Sequence, residues 1–261
     1  MSKTLTFAKY QGAGNDFIII DNRKNILNPG DSKRIKQLCD RRFGIGADGL
    51  MMLYDHKEVD FEMKYFNSDG YEGTMCGNGG RCIVMFAEKI KLIKQNARFK
   101  TNDGVHTAEI TDTTVRLRMN DVKAIRKFGD SYFVDTGSPH YITFRKNIDI
   151  IDVFNEGRKL RNNQKFKPHG TNVNFVKVQK DGLSVRTYER GVENETMSCG
   201  TGAVAAAIVS VFSGQIDSDN VPVKTRGGIL NVSFKTTDKG LFSDIILEGP
   251  ATYVFEGEIN V

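Results

Sequence analysis

Cysteine is scarce in this chain: four in 261 residues, at positions 39, 76, 82 and 199. No two of them form a Cys-x-x-Cys pair. The four histidines, His56, His106, His140 and His169, keep no ligand spacing to one another or to the cysteines. A metal site is therefore not expected. Four cysteines in so long a chain do not make a disulfide framework either. Met1-Ser2-Lys3 runs straight into the strand-like Leu5–Tyr10, so no secretory signal is expected. Long apolar runs are also missing. The longest, Ala203–Val209, falls far short of the roughly 20 residues that span a bilayer. A soluble, cytoplasmic protein with no membrane partner is the expectation. Charge of one sign is not concentrated anywhere: 37 basic and 32 acidic residues give +5, scattered without a Lys/Arg block or interleaved aromatics. That argues against a nucleic-acid partner and leaves a mildly basic surface, suited to drawing in an anionic small molecule.

What is present is a repetition. Thr74-Met75-Cys76-Gly77-Asn78-Gly79 and Thr196-Met197-Ser198-Cys199-Gly200-Thr201-Gly202 are near-copies, their cysteines 123 residues apart. Each is followed by an apolar run that reads as a buried helix, over 79–93 and 202–212. Amphipathic helices are predicted over 31–42, capped by Asp31 or Ser32, and over 149–162. The rest alternates as short strands. Other anchors keep nearly the same offset: Gly14 with Gly137, Gly46 with Gly170, and the strand ends Asn67 and Glu189. Two similar domains follow, each a sheet wrapped on a central helix. Residues 1–124 form the half carrying Cys76 and 125–248 the half carrying Cys199. Residues 121–129 read as the connection. Residues 249–261 form a terminal strand that returns to the first domain.

A helix N-terminus offers unpaired N–H groups and the positive end of a dipole. A cysteine there is a candidate thiolate, although free cysteine also packs as a small hydrophobe. Cys39 and Cys82, set among Ile35, Leu38, Ile83 and Phe86, take the packing role. Cys76 and Cys199 are different because the arrangement is built twice, each loop facing the other across a domain cleft. Inverting a stereocentre needs a base on one face of the carbon and an acid on the other. Two near-equivalent thiols suit that task, because a thiol with a pKa near 8.5 serves as either partner. A helix dipole stabilises an anion by about 0.3–1 kcal/mol, up to about 2 when buried. That is roughly one pKa unit, opposed by desolvation, so each thiol stays near neutrality. Two close thiols couple into one thiolate and one thiol. The N–H groups of Gly77-Asn78 and Gly200-Thr201 would receive the carboxylate into which the charge of the lost proton flows.

Taken in order, Gly12-Ala13-Gly14-Asn15-Asp16-Phe17, Phe66-Asn67-Ser68-Asp69-Gly70, Met75-Cys76-Gly77-Asn78-Gly79-Gly80-Arg81-Cys82, Gly170-Thr171-Asn172, Tyr188-Glu189-Arg190-Gly191 and Ser198-Cys199-Gly200-Thr201-Gly202 resemble the diaminopimelate epimerases over nearly the whole chain. The resemblance implies an α/β (α+β) fold of two pseudosymmetric domains, each a mostly antiparallel sheet or barrel around a central helix. It implies a cofactor-independent enzyme, usually a homodimer, that interconverts LL- and meso-diaminopimelate for lysine and peptidoglycan synthesis. By position, Cys76 and Cys199 become the acid/base pair, and Gly77, Asn78, Gly200 and Thr201 hold the reacting carboxylate. Asn15, Asn67, Asn172, Glu189 and Arg190 would bind the amino groups and the distal carboxylate. His140 and Glu189 would tune the thiols. The chain departs from the family pattern at Gly49, where many members have glutamine, and at Ser138, where others have asparagine. Residues 191–196 form a loop one residue longer than the common form.

Three other readings compete. A proline or hydroxyproline racemase would leave Arg190 without a role. A thiol redox protein would leave the asparagines and Arg190 without one. Nucleotide binding by Gly77–Gly80 lacks both a following Lys-Ser/Thr and a G-x-G-x-x-G after a strand.

Overall fold

The computed structural model describes residues 4–73, 75–237 and 241–260. Thr74, which opens the first of the repeated segments, and Met1–Lys3 lie outside the described residues. The described chain divides into two compact units. One comprises the residues up to Leu117 together with those from Pro250 on; the other is Arg118–Gly249.

The first unit holds the strands β1 (Thr4–Gly12), β2 (Asn15–Asp21), β3 (Gly49–Tyr54), β4 (Phe61–Asn67), β5 (Asn96–Thr101), β6 (Gly104–Thr111) and β7 (Thr114–Arg118). Its helices are α1 (Ser32–Cys39) and α2 (Gly77–Lys89). The second holds β8 (Ile125–Phe128), β9 (Ser131–Asp135), β10 (Pro139–Phe144), α3 (Val153–Arg161), β11 (Asn172–Gln179), β12 (Gly182–Glu189), β13 (Asn194–Thr196), α4 (Gly200–Phe212), β14 (Asn220–Thr225), β15 (Gly228–Thr236) and β16 (Phe242–Pro250). The last strand, β17 (Thr252–Asn260), belongs to the first unit.

The ladders repeat. In the first unit the strands neighbour one another as β17-β1-β2-β3-β4-β5-β6-β7, parallel at β2–β3 and β4–β5 and antiparallel elsewhere. In the second the order is β8-β9-β10-β11-β12-β14-β15-β16, parallel at β10–β11 and β12–β14 and antiparallel elsewhere. The register repeats as well. Phe17 lies beside Gly49, and Gly49 opposite Asn67. His140 lies beside Asn172, and Val173 opposite Tyr188, which sets Asn172 across from Glu189.

In each unit the sheet wraps one apolar helix. Helix α2 touches β1, β2, β3, β6 and β17, and α4 touches β9, β10, β11, β12, β14 and β15. Residues 202–210 of α4 are all buried, with alanine at 203 and 205–207. Such small side chains let strands approach on every side, as a central helix requires. Both helices end alike, in a residue with a left-handed backbone: Lys91 (φ 59°) after α2 and Gly214 (φ 70°) after α4.

Several boundaries differ from the sequence expectation. Both central helices begin two residues earlier than the apolar runs suggest, so Cys76 and Cys199 are themselves the N-caps. Helix α1 stops at Cys39 because the Asp40 carboxylate accepts from the N–H groups of Arg42 and Phe43 and closes a turn there. Helix α3 begins only at Val153, where Asp152 accepts from the Asn155 N–H. The segment read as a connection contains β8. The loop read over 191–196 contains a short strand, β13. In β16 the alternation slips at Asp244, which has φ 51° beside an irregularity in the ladder, so Phe242 and Ile245 both face inward at odd spacing.

Candidate active site

Asn15 starts β2, Asn67 ends β4, and Cys76 caps α2. The Asn15 Nδ2 donates to Asp48 Oδ2 at 2.7 Å. An ionised carboxylate can only accept, so this contact fixes the amide and turns Oδ1 toward Cys76. There it lies 3.6 Å from the Sγ and accepts from Asn78 Nδ2 at 3.3 Å. Asp48 is held in turn by Arg41, which also pairs with Asp16, and Asp16 pairs with Lys9. Asn78 is fixed from behind. Arg81, fully buried, donates to Asn78 Oδ1 at 2.9 Å, to the Gly77 carbonyl and to the Pro250 carbonyl. Asn15, Cys76 and Asn78 thus come together.

The Gly49 departure has a structural counterpart. A Cβ at 49 would come 2.6 Å from the Tyr65 ring, and one at Gly73 would come 2.8 Å from it. Tyr65, two residues before Asn67 on the same face of β4, fills the space a longer side chain at 49 would need.

In the second unit, Cys199 caps α4 and is 8% exposed. Its Sγ lies 3.5 Å from Thr201 Oγ1, which is 2.9 Å from His140 Nε2. Burial, with the nearby Arg190 cation, pushes His140 down to about 3, so its ring is neutral near pH 7. Asn172 is buried and spends its amide within the unit. Its Nδ2 donates to Ser138 Oγ and the Pro139 carbonyl, and its Oδ1 accepts from the Arg190 N–H. Ser138 therefore acts as an acceptor at that contact. Glu189 accepts from Thr196 Oγ1 at 2.9 Å, and Arg190 Nη1 reaches the His169 carbonyl at 3.4 Å. The longer loop forms β13, which pairs with β12. In the equivalent loop of the first unit, Glu72 bridges to Phe66 and the Gly73 N–H donates to the Tyr65 carbonyl.

Cys39 and Cys82 are buried; burial pushes the Cys39 thiol up to about 12 and raises that of Cys82 as well. Among the described residues no group of three or more His, Cys, Asp or Glu side chains is placed to hold a metal ion, and no helix is long and apolar enough to cross a membrane. A cavity of about 590 Å³ in the first unit lies at the far end of α2 from Cys76, beside Phe86, Lys89 and Ile90. Four of the charges lining it pair off, Arg23 with Asp21 and Lys89 with Glu256. Asp48, Tyr65, Arg81 and Asn174, whose Nδ2 lies 3.0 Å from His140 Nδ1, join the site residues named from sequence. Asp48 and Asn174 sit beside quoted motif residues, but nothing in the sequence links either to its cysteine.

The family model described as diaminopimelate epimerase matches residues 7–125 and 132–254. A protein of Flavobacterium psychrophilum named diaminopimelate epimerase is 47% identical over 253 residues, covering 96% of this chain and 98% of that protein. One of Chlorobaculum tepidum with the same name is 45% identical over 260 residues, covering 96% and 99%. Among solved structures, a Bacillus anthracis phenazine biosynthesis protein of the PhzF family is similar with a TM-score of 0.78 at 15% identity, covering 99% of this chain and 100% of that one. A hydroxyproline epimerase from Agrobacterium vitis is similar with a TM-score of 0.75 at 12% identity, covering 99% and 93%. Those two likenesses are of fold alone. The near full-length matches at 45–47% identity decide the family: the chain belongs to the diaminopimelate epimerases.

Proposed function

We propose that this protein interconverts LL- and meso-diaminopimelate without a cofactor, using Cys76 and Cys199 as a two-thiol acid/base pair. The observation that carries the reading is the duplication: the same cysteine N-cap begins the central helix of each unit. The thiolate of one cysteine takes the α-hydrogen as a proton from one face of the carbon. The thiol of the other returns a proton to the opposite face, and the two cysteines exchange protonation states in the turnover. The electron pair left on the carbon flows into the α-carboxylate. N–H groups at the two helix starts, from Gly77 and Asn78 and from Gly200 and Thr201, suit that developing charge. Arg190 suits the distal carboxylate and Glu189 an ammonium group, with Asn15, Asn67 and Asn172 completing the polar lining. His140 and Glu189 tune the thiols. The product would feed lysine and peptidoglycan precursor synthesis in the cytoplasm. For assembly we propose a homodimer, and the partly exposed Tyr253 and Phe255, which share one face of β17, offer apolar surface for it.

The test is exchange of the substrate α-hydrogen in deuterated water, run with LL-diaminopimelate and with proline. Diaminopimelate is expected to gain deuterium and yield the meso form. Cys76→Ala and Cys199→Ala should each slow conversion by about 10²–10⁴-fold, the range of general acid–base catalysis. Near-normal turnover in either variant removes the two-thiol mechanism. Exchange of proline in place of diaminopimelate moves the substrate class.

A further inference from the structure

The hydrogen bonds behind Cys199 have a determined polarity. The Thr187 hydroxyl donates to Asn174 Oδ1 at 2.9 Å, and Asn174 Nδ2 lies 3.4 Å from the Tyr141 carbonyl, which can only accept. The Tyr141 carbonyl fixes the amide orientation and the Thr187 hydroxyl complies with it, so Nδ2 also faces His140 Nδ1 at 3.0 Å. An amide N–H in that place makes Nδ1 the acceptor, and a neutral imidazole then carries its proton on Nε2. That N–H points at Thr201 Oγ1, 2.9 Å away, which accepts it. The Thr201 hydroxyl hydrogen is left to point elsewhere, and Cys199 Sγ stands 3.5 Å from the oxygen.

We propose that Asn174 is a positioning residue that, acting through His140 and Thr201, turns a hydroxyl proton toward Cys199 and favours its thiolate. The proposal deepens the two-thiol reading and rests on it for its catalytic meaning. Asn174, His140 and Thr187 are almost fully buried, so water does not compete for these contacts. The charge facing His140 is that of Arg190, and it favours the neutral ring the relay needs. Gly202 permits the close approach: a Cβ there would lie 2.5 Å from Asn174 Oδ1 and 3.3 Å from Cys199 Sγ. The first unit does the reverse. Asp48 fixes the Asn15 amide so that an oxygen, an acceptor, meets the Cys76 thiol, while the buried Arg81 supplies the positive charge near it. The two copies of the turn therefore present opposite hydrogen-bond polarity to their cysteines.

Site-resolved alkylation tests this. Iodoacetamide modification of Cys199 and of Cys76 is followed against pH by peptide mass spectrometry in the full-length protein. Thr201→Val, which keeps the shape and removes the hydroxyl, should raise the Cys199 midpoint and slow its alkylation near pH 7 about tenfold, the scale of one hydrogen bond to a charged group. Thr201→Ser should leave it where it is. Asn174→Ala should move the Cys199 midpoint upward while leaving that of Cys76 unchanged, a split that general loosening would not produce. A Cys199 midpoint unmoved by Thr201→Val, or moved as far by Thr201→Ser, overturns the proposal. Should Thr201→Val not fold, an unmoved midpoint in Asn174→Ala does the same. Alkylation needs no substrate, so failure of the diaminopimelate reading in the exchange assay and failure of this relay are separate results.

Discussion

Gly79 and Gly202 occupy the same turn of equivalent helices, yet a methyl group would meet different surroundings at each. At Gly79 its nearest neighbour is the Met51 sulfur at 3.1 Å, the end of a flexible side chain. At Gly202 it is the Asn174 amide oxygen at 2.5 Å, which is locked by Thr187. Alanine gains about 1 kcal/mol over glycine in a helix interior, while overpacking a buried site costs about 1–3. Gly79→Ala should therefore leave the thermal midpoint unchanged or slightly raised. Gly202→Ala should lower it and slow Cys199 alkylation, because the methyl group displaces the amide that orders His140. Thermal unfolding of the two variants side by side checks the difference in sign, and equal shifts would contradict it.

Lys9 of β1, Asp16 of β2, Arg41 after α1 and Asp48 before β3 tie four segments together at the end of the sheet where Asn15 sits. Burial raises the Asp16 carboxyl, but Arg41 and Lys9 outweigh it and hold it down at about 2. A carboxyl depressed on folding stabilises the fold above its ordinary value near 3.9 and loses that contribution as pH falls through the folded value. The contribution is at most about 2.5 kcal/mol. Thermal midpoints of the wild type should accordingly fall between about pH 4 and 2, and Asp16→Asn should start lower and show a flatter slope there. Parallel slopes would mean the cluster is not what titrates. Of this cluster, Asn15 and Asp16 lie in a motif legible in the sequence, while Lys9, Arg41 and Asp48 carry no such mark. Gly14, Gly46, Gly137 and Gly170 all have positive φ, from 69° to 98°, a conformation that favours glycine, so the repeat left its mark at the turns. Asp48 and Asn174 act through partners 33 and 34 residues away, and no local pattern records such a pairing. Tyr65 reads simply as a strand aromatic until the absent side chain at Gly49 is seen beside it. Strand β8 reads as a connection because its four residues include Arg126 and Lys127 and none is buried.

At the scale of the whole chain, the two units differ in how they obtain their first strand. The second takes β8 from the residues just before β9, and the first takes β17 from the far end of the sequence. Strand β17 pairs with β1 from Thr4–Asn260 through Gln11–Thr252, with one shift between Lys9 and Tyr10. It also sets Phe255 edge-on to Phe7 and Tyr253 edge-on to Tyr10. Each such aromatic pair is worth about 0.5–1.5 kcal/mol beyond its burial, and each ladder hydrogen bond about as much. Losing the strand thus removes several kcal/mol from the first unit and bares the β1 edge. A chain ending at Pro250 should show a thermal midpoint lower by about 10 °C or more. Hydrogen exchange should quicken in β1, β2 and α2 while β9–β12 and α4 keep their protection, because the second unit's ladder is built from one continuous stretch. Uniform loss of protection across both units would show instead that they unfold as one. An unchanged pattern would show that β17 contributes little to the unit it completes.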